Sequence, residues 1–167
     1  TFVHPLADVR GAGYNAFQST IAVGSGQFFG KGVGYGTQSR LKFLPEYQTD
    51  FVFAAFAEEW GFFGVALVFL LFGLIIWRLF ANALMAATNF ETLFAVGVAI
   101  YLMSHFIIHV GMNIGFLPVT GLPLPFMSYG GSHLLTEFIC LGMVSGMRKY
   151  SLAFHREDIH NEFVGPQ

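Results

Sequence analysis

The chain has 167 residues, of which 54% are hydrophobic, 17% aromatic and 11% charged, with a net charge of -2 and a mean hydropathy of +0.60. Soluble domains carry about 25% charged residues, so this composition is that of an integral membrane protein. The near-neutral balance offers no basic patch for nucleic acid, and the single cysteine, Cys140, excludes both a disulfide framework and a cysteine metal site.

The chain opens at Thr1 with no initiator Met, basic leader or cleavage signal, so it reads as part of a longer protein rather than one with a signal peptide. Residues 1–50 hold no uninterrupted span. They carry Arg10, Lys31, Arg40 and Lys42, and eight glycines fall between positions 11 and 36. Ala16 to Phe29 is apolar enough for a half-helix or re-entrant element, which lipid tolerates only where protein or a wet cavity covers the broken backbone. Within this region GQFFGKG fails as a nucleotide-binding loop. That pattern needs Gly at 25 and Ser or Thr at 32, where the chain has Ser25 and Gly32. Two readings stay open: a backbone nest that, with Lys31, holds an anion such as pyrophosphate, or glycines that serve close packing and tight turns.

The stretch LPEYQTDFVF sets Asp50 against the start of a long apolar run. Thr49 and Asp50 stand where a helix N-cap belongs, and a cap alone contributes about 1 kcal/mol. Equally, a carboxylate beside low-dielectric surroundings can take a proton from a substrate hydroxyl. Residues 60–77 are 18 uncharged residues bracketed by Trp60 and Trp77. They reach about 27 Å as a helix, near the thickness of a bilayer core. Glu58 and Glu59 precede this run and diverge by about 100° on a helix, so at most one faces a common interior.

A second span covers about 92–112 and includes His105 and His109 on one face. The intervening Phe106, Ile107 and Ile108 supply no catalytic Glu, so a pair of buried imidazoles bonded to neighbouring helices is favoured over a metal pair. Residues 113–128, NIGFLPVTGLPLPFMS, form an uncharged connection stiffened by Pro118, Pro123 and Pro125. A third span, about 129–147, ends at Arg148-Lys149 and encloses Glu137, which must be protonated, paired or facing water. The polar segment 150–167 reads as a mobile tail. Three spans, about 52–78, 92–112 and 129–147, put residues 1–50 and the proline loop on one face. The Lys and Arg near helix ends weakly favour a cytoplasmic tail and an extracytoplasmic Asp50.

The blocks GAGYNAFQSTIAVGSGQFFGKGVGYGTQSRLKFLPEYQTDFVFAAFAEEWG, residues 11–61, and NIGFLPVTGLPLPFMSYGGS, residues 113–132, resemble the SEDS family (shape, elongation, division and sporulation). The PVTGLPLPF form resembles its elongation-type members more than its division-type ones. The resemblance implies an all-α, ten-helix inner-membrane bundle of which three helices are present here. Its implied activity is polymerisation of lipid II into glycan strands, alongside a class B penicillin-binding protein and the elongation machinery. It puts the essential aspartate at Asp50, as the base of an inverting displacement or as ligand to a divalent cation, Mg2+ or Mn2+. Lys31, Arg40 and Lys42, with Gln48 and Thr49, become candidates for substrate contacts. Glu58, Glu137, Ser128, Gly130, Gly131 and Ser132 are candidates for shaping the cavity. Two other functions compete: a flippase for the lipid-linked precursor, suggested by broken helices and Glu137, and a noncatalytic scaffold for the penicillin-binding protein.

Overall fold

The computed structural model describes residues 12–36 and 48–164, and every regular element among them is helical. Helix α1 is Ala12–Ser25, α2 Val52–Leu84, α3 Asn89–Asn113 and α4 Gly131–Val164. Among the described residues α2 and α3 are long and apolar enough to cross a membrane. The third expected span is a helix, but Glu137, Arg148 and Lys149 dilute its apolar run and it does not meet that standard. Two boundaries differ from expectation: α2 runs past Trp77 to Leu84, and α4 carries the supposed mobile tail onward as helix through Val164.

Helices α2 and α3 form a hairpin around a short turn. Thr88 caps α3 by accepting from the Glu91 N–H at 3.3 Å, and Glu91 Oε2 reaches back to the Ala87 N–H at 3.1 Å, a reciprocal arrangement that satisfies two donors at the helix start. The buried face of α3 follows helical spacing through Ala95, Val98, Ala99, Leu102, Phe106 and Val110. Phe106 stacks on Phe72 of α2 at 4.1 Å between ring centroids. At the other end Arg148 of α4 donates to Asn82 Oδ1 of α2 at 2.6 Å.

Helix α2 is broken at Gly61, whose φ of 65° and ψ of -162° belong to a region that only glycine occupies readily. A break inside an apolar helix orphans carbonyls before it and N–H groups after it. The segment after α1 fills both needs. Lys31 and Gly32 donate their N–H groups to the Glu58 and Glu59 carbonyls, each at 3.0 Å, while Phe62 and Phe63 donate to the Gln27 and Phe28 carbonyls at 2.9 and 3.3 Å. Of the half-helix or re-entrant element expected over 16–29, residues 16–25 lie in α1, which starts earlier at Ala12, and the backbone that follows it is satisfied by hydrogen bonds to the break in α2.

Candidate active site

Asp50 lies in the turn before α2, half-buried. The helix begins at Val52 with Phe51 at the cap position, and no side chain of the cap residue bonds into it. Capping by Thr49 or Asp50, which the sequence allowed, is not the arrangement found. The task falls to Asn113 at the far end of α3, whose Oδ1 accepts from the Ala54 N–H at 3.3 Å. The Asp50 carboxylate points instead at Gly121 in the proline loop, where a Cβ would stand 3.6 Å from Oδ2 and 3.9 Å from Oδ1. With φ at 68°, Gly121 has a backbone suited to glycine, and a Cβ there would lie in van der Waals contact with the acid.

Three consecutive carbonyls fix the chain that carries Asp50. The Tyr129 N–H donates to Gln48 O at 2.9 Å, Ser128 Oγ donates to Thr49 O at 2.9 Å, and Asn113 Nδ2 donates to Asp50 O at 3.2 Å. Ser128 Oγ also accepts from the Leu124 N–H at 2.7 Å, so one hydroxyl joins the loop to the acid-bearing turn. These bonds give the SYGGS motif a concrete role: Ser128 and Tyr129 strap the turn in place.

The loop is itself held from two helices. His109, fully buried on α3, places Nδ1 2.7 Å from Leu122 O; a carbonyl only accepts, so Nδ1 carries the proton. Glu137 on α4, 1% exposed, accepts from the Phe126 N–H through Oε2 at 3.0 Å, and Phe126 has the unusual φ of 64° for a side-chain-bearing residue. Its Oε1 lies 3.0 Å from His133 Nδ1, out of line for a hydrogen bond. Glu137 therefore clamps a strained turn of the loop. His105, half-buried, bonds the carbonyl of Tyr101 in its own helix while His109 bonds the loop, so neither histidine makes the expected bond to a neighbouring helix.

Lys31 pairs with Glu58: Nζ lies 2.8 Å from an Oε1 that is fully buried. The backbone N–H groups of Lys31 and Gly32 are engaged by the broken helix, so of the two readings of GQFFGKG the structure favours packing over an anion nest. Glu58 and Glu59 diverge as expected, Glu58 turning inward and Glu59 lining a cleft of about 790 Å³ between the starts of α2 and α4. That cleft is also lined by Gln48, Ser128, Gly130 and Gly131; Asp50 is at its margin in sequence but not in its wall. Ser132 is exposed in the first turn of α4, where its carbonyl accepts from Thr136. Arg40 and Lys42 lie outside the described residues. Among the described residues no group of three acidic, histidine or cysteine side chains surrounds Asp50, and no step is assigned to a metal. Asn113 and its neighbour Ser19 had no mark in the sequence; an Asn four residues after His109 was the sole hint.

The family model of the FtsW, RodA and SpoVE proteins, described as cell cycle proteins, matches residues 1–152. The chain is 44% identical over 146 residues to the probable peptidoglycan glycosyltransferase FtsW of Thiomicrospira cyclica, covering 86% of this chain and 37% of that protein. It is also 44% identical over 146 residues to the peptidoglycan glycosyltransferase MrdB of Escherichia coli K12, covering 87% of this chain and 40% of the relative. A solved structure described as the structural coordination of polymerization and crosslinking by a peptidoglycan synthase complex superposes with a TM-score of 0.72 and 32% identity, over 90% of this chain and 40% of that one. The chain thus spans about two fifths of the length of the relatives it matches.

Proposed function

Because this chain belongs to the FtsW/RodA/SpoVE family of cell cycle proteins, we propose that the whole protein is a peptidoglycan glycosyltransferase that polymerises lipid II at the outer face of the bacterial cytoplasmic membrane, with Asp50 as its base. One observation carries the assignment of Asp50: its carboxylate is excused from helix capping and faces Gly121, which sets no side chain against it, while its backbone is fixed on both sides. In the proposed step the acceptor 4-hydroxyl gives its proton to the carboxylate as its oxygen attacks the anomeric carbon of the donor. The bond to pyrophosphate breaks, undecaprenyl pyrophosphate departs with the electron pair, and the anomeric configuration inverts. A charged leaving group needs no acid, so one base suffices. The substrate explains the acid's position. Its lipid lies in the membrane and its sugar at the surface, and Asp50 stands at the edge of an apolar helix. Lys31, Arg40 and Lys42 are assigned to the pyrophosphate, Lys31 acting from its pair with Glu58, and Gln48 and Thr49 to the sugar.

The PVTGLPLPF loop supports a role in elongation, with a class B penicillin-binding protein as transpeptidase partner. FtsW and MrdB relatives match at equal identity, so complementation of elongation-defective and division-defective strains is the means of choosing between the two roles. The flippase reading drew on broken helices and Glu137; α2 is broken at Gly61 and Glu137 is bonded to the loop, so lipid II translocation in liposomes that depends on Glu137 but not on Asp50 is the result that would favour it.

The test is polymerisation of purified lipid II by the full-length protein with its partner. Asp50→Ala and Asp50→Asn are each expected to lower the rate about 100-fold or more, the usual contribution of a general base. Undiminished product from both removes Asp50 from the chemistry.

A further inference from the structure

We propose that Asn113 is a positioning residue for Asp50, its side-chain amide setting the register in which the carboxylate is presented to substrate. The proposal rests on the reading of Asp50 as the base. Asn113 is fully buried where α1, the start of α2 and the end of α3 meet. Its Oδ1 accepts from the Ala54 N–H and from Ser19 Oγ, both at 3.3 Å, and its Nδ2 donates to Asp50 O at 3.2 Å and to His109 O at 2.8 Å. The one hydroxyl hydrogen of Ser19 is shared between Oδ1 and the Asn113 main-chain carbonyl, the latter nearer at 2.6 Å, so the residue is anchored from behind.

This set of bonds demands a carboxamide. Two donors converge on one end of the side chain and two carbonyls on the other, and an amide offers an acceptor and a two-hydrogen donor at that separation. An aspartate of identical shape would present oxygen to both carbonyls. With no exposure, water has no room to substitute, so the amide cannot be replaced without leaving polar groups unpaired.

The link to the base is direct in the chain. Nδ2 holds the carbonyl of Asp50 itself, and Oδ1 holds the first turn of the helix that follows, so one amide fixes the peptide plane adjoining the Cα that carries the carboxylate. The loop secures the two preceding carbonyls through Ser128 and Tyr129. Among the described residues, Asn113 supplies the corresponding tie to the membrane helices. A base misplaced by about 1 Å can cost about 100-fold in rate.

The experiment compares Asn113→Ala, Asn113→Asp, Ser19→Ala, Asp50→Ala and Asp50→Asn in the full-length protein with its partner, reading kcat and KM for lipid II separately. Asn113→Ala and Asn113→Asp are expected to lower kcat about 10- to 100-fold with KM within about 3-fold of the parent. Ser19→Ala removes the shared hydroxyl bond from the same hub but leaves the tie to Asp50, and is expected to hold kcat within about 3-fold. Where Asn113→Ala does not fold, Asn113→Asp, which keeps shape and acceptor, decides. A retained kcat in Asn113→Asp, a loss confined to KM, or an equal loss in Ser19→Ala overturns the proposal. Inactive Asp50 variants beside fully active Asn113 variants sink the positioning role alone. Active Asp50 variants sink the base itself, and this inference with it.

Discussion

Substituting Gly61 with alanine tests the joint between the glycine-rich segment and the broken helix. A Cβ there would run into the Gly30 amide nitrogen and the main chain of Phe28 and Phe29, from a backbone angle that alanine does not hold. The relief open to the chain is to straighten α2. Four main-chain bonds across the joint are then lost, at a net of about 1 kcal/mol each. A continuous helix regains two of them, since Phe62 and Phe63 can bond the Glu58 and Glu59 carbonyls, which leaves a deficit of about 2 kcal/mol. Parting Lys31 from buried Glu58 adds about 1 to 2 kcal/mol, less than a fully buried pair because Lys31 is 31% exposed. A total of about 3 kcal/mol corresponds to about 100-fold in the population of the opened joint. Hydrogen exchange of the Lys31 and Gly32 amides, followed by mass spectrometry in the purified protein, should therefore accelerate about 100-fold in Gly61→Ala. Unchanged protection at these two amides would refute the claim that the segment is held by the break in α2.

Other consequences can be measured in the same preparation. Lys31→Met should destabilise by about 1 to 2 kcal/mol by removing the cation paired with buried Glu58, and adding Glu58→Gln should restore most of that stability; equal midpoints of thermal unfolding for the single and double variants would contradict the pairing. Glu137→Ala should cost about 1 to 3 kcal/mol by leaving the Phe126 N–H without its acceptor, whereas Glu137→Gln, which keeps an oxygen, should stay near the parent; the ordering of the two unfolding midpoints is the check. Gly121→Ala should cost about 1 to 2 kcal/mol of backbone strain and crowd the approach to Asp50, so lipid II polymerisation should fall further than stability does. Polymerisation equal to the parent would mean that substrate reaches Asp50 from elsewhere.

How much of this was legible beforehand differs from element to element. The uncharged stretch between Trp60 and Trp77 and the sparse-charge run of 92–112 announce helices in lipid, because in that medium hydrocarbon length and backbone satisfaction leave few alternatives. The family motifs single out Asp50 for the same local reason: a short, contiguous pattern survives without any knowledge of what lies across the molecule. The end of α4 misled, since a polar, mixed-charge composition marks exposure and not the loss of helix.

Between two readings of one residue the sequence could not choose, because each choice turns on a partner distant along the chain. Whether Asp50 caps α2 depends on Asn113, 63 positions away, which does the capping in its place. Whether Gly26–Gly32 cradles an anion depends on the break at Gly61, whose orphaned groups occupy its amides. Glu137 looks like a stranded charge until Phe126 folds back to it. Composition and periodicity fixed what kind of protein this is, since those are averages over near neighbours. The tertiary structure alone decided which polar group meets which, since a buried hydrogen bond is made by geometry between segments and leaves no local trace.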